Sequence, residues 1–294
     1  MSHQELRLPM PWGHIAAKAW GSPNDRCVLA VHGILDNAGS FDRLIPLLPS
    51  SYYFICIDLP GHGLSSHFPK GMPLEYLNYI LAIRKVLDYL NWERCIYIGH
   101  SLGGNLGTMF TSIYPERVTK LICLDAVIAR PISDDVIISY IRSKHDNAIN
   151  IEEKTDTARL YTIEEIIYIL MNSRYNALNR PAAEALSKRS ITKVGDRYSF
   201  TRDPRLKLGI LPIFNYEQHS AILKHVHIPI LVVFAETTVT AKHHKEMERL
   251  NTHAMVNLKH NHVVVQGNHD VHNNHPERVA PHITEFLTTL KSNL

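Results

Sequence analysis

The chain has 294 residues, a formal net charge of +3 and 45% hydrophobic residues. This length suits one large α/β domain with an insertion, or two small domains, and allows a sizeable buried core. The small net charge and the absence of a long Lys/Arg block give no indication of nucleic-acid binding. No apolar run is long enough to span a bilayer, so a transmembrane segment is not expected.

The termini and the cysteines predict a cytoplasmic protein. The first residues lack the apolar core of a signal peptide, and the chain contains no Asn-x-Ser/Thr glycosylation site. The final residues, Ser292-Asn293-Leu294, loosely resemble the peroxisomal Ser-Lys-Leu address, so a peroxisomal location stays open. Unpaired thiols in a reducing compartment are expected for the four cysteines, which occur in or beside apolar runs: Cys27, Cys56, Cys95 and Cys123.

Short apolar runs separated by helical patterns predict a parallel sheet with helices on both faces. The opening segments Leu6–Pro9 and His14–Trp20 suggest a leading hairpin. The helix predicted over Leu74–Leu90 would bury a side that includes Leu77, Ile80 and Leu81. The predicted parallel strands are Cys27–Val31, Tyr53–Ile57, Cys95–Ile98, Leu121–Leu124, Ile230–Phe234 and His262–Val265.

This alternation stops near Arg130-Pro131 and resumes near Ile228-Pro229. The pattern therefore predicts an α/β core from residues 1–130 and 228–294, with residues 131–227 inserted as a helical cap. Ile166, Ile167, Leu170 and Met171 have helical spacing and would line a pocket or, as we favour, pack on the main domain. The helices predicted in and after the insertion are Val136–Arg142, Thr162–Ser173, Pro181–Arg189 and Pro276–Leu290.

The sequence Gly99-His100-Ser101-Leu102-Gly103 matches the G-x-S-x-G nucleophile elbow. An apolar strand precedes it and a helix-compatible stretch follows, which is the context that the motif requires. The turn would lift the Ser101 hydroxyl out of the sheet and place it at a helix N-terminus, where backbone N–H groups favour negative charge. Ser101 is therefore the predicted nucleophile.

A serine nucleophile needs a base, and the predicted base is His269. It follows the apolar strand Val263–Val265 and a glycine-containing turn. His272 and His275 are rivals further along the chain. Most of the other histidines are interpreted as solvated surface residues, and their spacing fits no common metal motif, so neither a metal nor another cofactor is predicted.

With these motifs in place, the chain resembles the α/β-hydrolase superfamily and, more narrowly, the serine hydrolase-like (kraken-like) proteins of animals. The residues that carry the narrower resemblance are the stretch His32–Pro49 (HGILDNAGSFDRLIPLLP) and Gly267-Asn268-His269 with Val271-His272. The resemblance implies an α/β-hydrolase fold: a mostly parallel central sheet, flanking helices and a helical cap over the active site. It also implies hydrolysis of carboxylic esters.

In this fold the turn at His32-Gly33-Ile34 resembles the oxyanion loop. The backbone N–H groups of Ile34 and Leu102 would then stabilise the oxyanion, and losing one such donor typically costs about 3 kcal/mol. His32, Gly33 and His100 are predicted to lie against the substrate, with Asp36 and Asn37 as further candidates. The turn Asp58–Ser65 matches a tight loop common in the superfamily and is predicted to be structural.

The acid that should orient the histidine is missing from its usual place, which would be about Thr238. Two substitutes are available. Asp125 ends the strand Leu121–Leu124, and Glu236 stands two residues before Thr238. The geometry of a strand end slightly favours Asp125, but both stay open.

Together the motifs predict a serine hydrolase that cleaves an ester or related acyl bond of a small apolar substrate through an acyl-enzyme at Ser101. Dehalogenation or epoxide opening would need a carboxylate in the elbow, which Ser101 argues against. The alternative from another class is a ligand-binding protein that keeps the hydrolase scaffold but turns over weakly. No partner other than a small-molecule acyl substrate is predicted.

Overall fold

A computed structural model describes residues 2–153, 159–172, 178–240 and 260–289. The strands are β1 (His3–Met10), β2 (Gly13–Trp20), β3 (Arg26–Val31), β4 (Tyr52–Ile57), β5 (Cys95–His100), β6 (Val118–Leu124), β7 (Ile191–Val194), β8 (Arg197–Phe200), β9 (Ile230–Ala235) and β10 (His260–Val265). The helices are α1 (Tyr76–Tyr89), α2 (Leu102–Ile113), α3 (Ile137–Glu153), α4 (Ile163–Asn172), α5 (Arg180–Ser190), α6 (Tyr216–Leu223), α7 (Glu236–Thr240), α8 (Val271–Asn274) and α9 (Pro276–Thr288).

Eight strands form one twisted central sheet in the order β1-β2-β4-β3-β5-β6-β9-β10. The leading hairpin β1–β2 is antiparallel and joins β4 in antiparallel fashion, and the neighbouring pairs from β4 to β10 are parallel. Successive side chains of β3 enter cores on opposite faces of the sheet: Leu29 and Val31 lie in one core, and Val28 and Ala30 in the other. The predicted strands, leading hairpin and fold class are thereby confirmed.

The buried side of α1 differs from the prediction. Leu77 and Leu81 are 53% and 48% exposed, whereas Ile80 is buried. The side that packs on the sheet has two tyrosines that the aliphatic pattern did not use, and it is formed by Tyr76, Tyr79, Ile80, Ile83, Val86 and Leu87. These positions follow the i, i+3, i+4, i+7 spacing of one helix face, so the two leucines point to solvent.

The cysteines have free thiols, as expected. Cys56, Cys95 and Cys123 are buried within strands, and Cys27 is half-buried in β3. Among the helices that the structure describes, none combines the length and the apolar character that crossing a bilayer requires.

Between β6 and β9 the chain forms α3 to α6 and a short hairpin, β7–β8. The sequence did not reveal this hairpin, because its two strands have only four residues each and β7 is mostly exposed. Ile166, Ile167 and Leu170 are buried, but they pack with α5 in a small core of the insertion itself, with Met171 at its margin. The expectation that they pack on the main domain was therefore wrong.

Buried polar contacts fasten the insertion to the loops that follow β3 and β4. Arg189 of α5 is 3% exposed and donates to the Asp58 carboxylate, with its shortest contact at 2.8 Å from Nη2 to Oδ2. Asn37 donates to the carbonyl of Leu186 at 3.0 Å and accepts from the N–H of Gly39. Asn37 therefore has a structural role, in place of the predicted substrate contact.

Candidate active site

The predicted site residues collect at the carboxyl edge of the parallel sheet. Ile34 follows β3, Ser101 follows β5, Asp125 follows β6 and His269 follows β10. Because parallel strands all end at the same edge, residues far apart in sequence can meet there. Ser101 is also tied to the neighbouring strand, since its N–H donates to the carbonyl of Leu124 at 3.1 Å.

The backbone at Ser101 forms a sharp turn between β5 and α2. Its φ of 50° and ψ of −115° lie in a strained region for a non-glycine residue. The two flanking glycines are required by crowding: a Cβ on Gly99 would lie 2.3 Å from the carbonyl oxygen of Gly103, and a Cβ on Gly103 would lie 2.0 Å from that of Val31. The packed surroundings therefore force the serine to the tip of the turn.

The loop after β3 passes directly beside Ser101. A Cβ on Gly33 would lie 3.1 Å from the Ser101 Cβ and 2.8 Å from the His100 Nδ1. Ile34, the next residue, is only partly buried. Leu102 is the first residue of α2, so its N–H belongs to the first helical turn, whose N–H groups have no partner within the helix.

His269 and Asp125 form a short hydrogen bond. The Nδ1–H of His269 donates to Oδ2 of Asp125 at 2.6 Å, although the two residues are 144 positions apart. With a proton on Nδ1, the neutral ring keeps Nε2 as its basic nitrogen. The Asp125 side chain is 1% exposed and also accepts hydrogen bonds from the Ala235 N–H at 2.7 Å and the Thr238 hydroxyl at 2.6 Å.

The charge around His269 favours its protonated form. Burial by itself disfavours the imidazolium, but the hydrogen bond and charge of Asp125 oppose that effect, with help from Asp270 and Asp36. The balance raises the pKa of His269 above its ordinary value of 6.5. A histidine whose cation is stabilised in this way is suited to accept a proton from a neighbouring hydroxyl.

The other candidates for acid and base lie elsewhere. Glu236 is exposed at the start of α7, whereas the bond to His269 comes from Asp125. His272 is fully buried, with its ring centroid 4.0 Å from that of His100. His275 is 41% exposed and lies 3.3 Å from Glu277. The geometry therefore favours Asp125 and His269 over these alternatives.

His32 does not have the position expected of a substrate contact. It is fully buried; its Nδ1 donates to the Gly33 carbonyl at 2.7 Å and its Nε2 accepts the Leu59 N–H at 3.0 Å. Burial lowers the pKa of His32 to about 4, so the ring is neutral and both nitrogens are used. Its side chain joins the loop after β3 to the turn that begins at Asp58.

A second histidine–aspartate contact, which the sequence analysis missed, lies behind the first. His100 Nε2 donates to the His269 carbonyl at 2.9 Å, and His100 Nδ1 lies 3.4 Å from Oδ2 of the buried Asp36. Asp270 is close by: one atom each of Asp36, His100 and Asp270 lie within 4.8 Å of one another. Because both ring nitrogens of His100 face protein oxygens, we interpret this group as a buried polar network and assign no metal to it.

This network also corrects two expectations. His100 is 1% exposed and Asp36 is 2% exposed, so neither side chain is presented to a substrate as predicted. Most histidines were expected at the surface, but five in the described part of the chain are buried: His32, His62, His100, His219 and His272. Burial of several histidines in one protein is not visible from spacing alone.

Comparison with known proteins gives consistent matches. Residues 27–276 match the family model described as alpha/beta hydrolase fold. Serine hydrolase-like protein 2 of Homo sapiens is 35% identical, covering 96% of this chain and 93% of that protein. A probable serine hydrolase of Drosophila melanogaster is 32% identical, covering 97% of this chain and 88% of that protein.

A solved structure supports the same conclusion about the fold. The crystal structure of a hypothetical protein from Pseudomonas aeruginosa superposes with a TM-score of 0.87 at 25% sequence identity, covering 97% of this chain and all of that one. A thioesterase domain from the curacin biosynthetic pathway is 20% identical with a TM-score of 0.80, and it covers 96% of this chain and 99% of that domain.

Proposed function

The chain belongs to the alpha/beta hydrolase fold family and to its serine hydrolase-like members, and from this premise we propose that it cleaves a carboxylic ester or related acyl bond through an acyl-enzyme at Ser101. The observation that carries the proposal is the 2.6 Å hydrogen bond between His269 and Asp125 at the sheet edge that also presents Ser101. Membership of the family makes the protein a hydrolase; the acyl chemistry is our inference from these residues.

In the proposed mechanism, His269 acts as general base. Its Nε2 takes the Ser101 proton while the serine oxygen attacks the acyl carbonyl, and the protonated ring is stabilised by Asp125. The same proton then passes to the leaving alcohol or thiol. Water, activated in turn by His269, releases the acid and restores the serine. This sequence of steps needs no metal and no organic cofactor.

The tetrahedral intermediates would be stabilised by two backbone N–H groups. Leu102 supplies one from the first turn of α2, and Ile34 supplies the other from the loop that passes beside Ser101. Backbone donors fixed by a helix and a packed turn do not need to reorganise as charge develops on the substrate oxygen, which is why such donors accelerate acyl transfer.

Side chains next to these groups favour an apolar substrate. Ile34, Leu35 and Val239 are partly buried and pack against an apolar core that also contains Val127 and Ile128. In the sequence, Ile34 and Leu35 belong to the oxyanion loop and Val239 follows Thr238. Val127 and Ile128 come shortly after Asp125. An acyl or alcohol group of hydrocarbon character would bury apolar surface against Ile34, Leu35 and Val239, which are only partly buried. We expect a small molecule, with residues 131–227 acting as a cap above it.

Labelling of the nucleophile tests the proposal. A fluorophosphonate reacts with an activated serine, so intact-mass measurement should show one adduct on the wild-type protein and none on Ser101→Ala. Ser112→Ala is a matched control, because Ser112 lies on α2, the helix that follows Ser101, and its hydroxyl donates to the Thr108 carbonyl. A chain-length series of p-nitrophenyl esters would then define the acyl preference.

The outcome separates an enzyme from a ligand-binding protein that keeps the scaffold. Absence of labelling in wild-type protein, or equal labelling of Ser101→Ala, would reject the hydrolase mechanism.

For location, we propose the cytoplasm, with the peroxisome as the alternative suggested by Ser292-Asn293-Leu294, which lies outside the described residues. A reporter fused to these last residues would decide between the two.

A further inference from the structure

The Asp125 carboxylate is held by groups from two separate parts of the chain. Its Oδ1 accepts the Ala235 N–H at 2.7 Å, and its Oδ2 accepts both the Thr238 hydroxyl and the His269 Nδ1–H at 2.6 Å. The side chain is 1% exposed. In such a buried setting, hydrogen bonds to an ionised oxygen are short and strong, so the loss of any one has a large effect.

The backbone at Asp125 shows how strongly its position is specified. Its φ is 56°, in the left-handed region that is unfavourable for a non-glycine residue. Its N–H donates to the Val233 carbonyl at 2.8 Å. Asp125 is thus fixed against β9, and the two donors that hold its carboxylate, Ala235 and Thr238, come from the end of β9 and from α7.

We propose that Thr238 is a positioning residue for the hydrolysis: its hydroxyl fixes the Asp125 carboxylate in the orientation that receives His269. This inference rests on the proposed function. With the Ala235 N–H alone, the carboxylate would be anchored at one oxygen and could turn about its Cβ–Cγ bond. The second anchor at Oδ2 restrains the very oxygen that His269 uses.

Thr238 has the right chemistry for this task. Its β-branched side chain has few rotamers, so the hydroxyl is held in place by the backbone at little further entropic cost. The hydroxyl also shares Oδ2 with the imidazole and therefore draws away some of the charge that would otherwise act on His269 alone. Thr238 should consequently affect both the rate of turnover and the basicity of His269.

The test compares Thr238→Val, which keeps the shape without the donor, with Thr238→Ser, which keeps the donor. Loss of a hydrogen bond to a buried carboxylate predicts that Thr238→Val lowers kcat about tenfold with KM little changed. Thr238→Ser should keep kcat within about twofold to threefold of wild type, as expected for a retained hydrogen bond. Thermal unfolding of each variant shows whether it is folded.

A second readout is an NMR titration of the His269 ring, assigned with His269→Gln. Removing the competing donor leaves more charge for the imidazolium, so the pKa of His269 should rise in Thr238→Val and stay unchanged in Thr238→Ser. The other groups that face this ring, Asp36, Asp270 and His100, are the same in all variants.

Both readouts must change for the inference to stand. A Thr238→Val variant with the kcat of Thr238→Ser would overturn it. A lower kcat with an unchanged His269 titration would also overturn it, since the effect would then come from packing. If the wild-type protein shows no turnover at all, the proposed function fails, while the titration alone still decides whether Thr238 controls the Asp125–His269 bond.

Discussion

Two histidine–aspartate contacts are linked by one hydrogen bond and differ in how far their side chains are exposed to solvent. In the open pair, His269–Asp125, the histidine side chain is 24% exposed and its Nδ1 lies 2.6 Å from the carboxylate. In the sealed pair, His100–Asp36, the side chains are 1% and 0% exposed and the corresponding distance is 3.4 Å. A bond from His100 to the His269 carbonyl links the two.

The difference in exposure indicates which pair can transfer a proton to and from a substrate. A general base must exchange its proton with substrate and water, which the open pair permits and the sealed pair does not. A sealed pair instead fixes backbone: His100 holds the loop that carries His269 against the elbow that carries Ser101. The comparison therefore separates a catalytic contact from a structural one made of the same residue types.

The largest expected effect is from Asp125→Asn in the open pair. An amide cannot stabilise the imidazolium and favours the wrong tautomer, so kcat should fall by about 10³- to 10⁴-fold. Ester turnover measures this loss. Glu236→Gln is the matched control, and it should keep wild-type kcat because Glu236 is exposed at the start of α7. A reversal of these two results would move the acid to Glu236.

A smaller effect on turnover is expected from Asp36→Asn in the sealed pair. Removing one partner of a buried polar contact typically costs about 1–3 kcal/mol, so the free energy of unfolding should drop by about that amount. Because Asp36 does not touch the proposed base, kcat of the folded variant should stay within about tenfold of wild type, far from the loss that removal of a triad acid causes. Chemical denaturation and ester turnover together check this. Equal losses of kcat in Asp36→Asn and Asp125→Asn would erase the distinction between the pairs.

The smallest effect is a shift in pH dependence. His269 must be neutral to act as base, so kcat/KM should fall on acidification, with its midpoint above pH 6.5 because the surrounding carboxylates raise the pKa of His269. Asp270→Asn removes one of these charges and should move the midpoint to lower pH. The profile contradicts the account if the wild-type midpoint lies below pH 6.5 or if Asp270→Asn moves it upward.

Sequence patterns predicted the strands, the elbow at Ser101 and the base at His269, because each depends on a short local arrangement. An apolar run followed by a tight turn needs only neighbouring residues to be recognised. The same argument extends to Gly99, which is crowded by Gly103 within the turn, whereas the crowding at Gly103 comes from Val31 of β3.

Other features depend on how distant segments meet and could not be predicted. The strand-end position slightly favoured Asp125 over Glu236, but its bond to His269 depends on how the ends of β6 and β10 lie relative to each other. The contact of His100 with Asp36 required the loop after β3 to lie against the elbow. The buried side of α1 was missed because leucines were given priority over Tyr76 and Tyr79. The role of Thr238 is visible only from its contact with a carboxylate in another strand.

The most direct test of the central claim is to trap the acyl-enzyme. Wild-type protein mixed with an activated ester and quenched at short times should gain the mass of one acyl group, and peptide mapping should locate it on Ser101. The adduct should be absent from Ser101→Ala and should accumulate very slowly in His269→Gln. Ester hydrolysis that proceeds unchanged in Ser101→Ala, or an acyl group on another residue, would contradict the account.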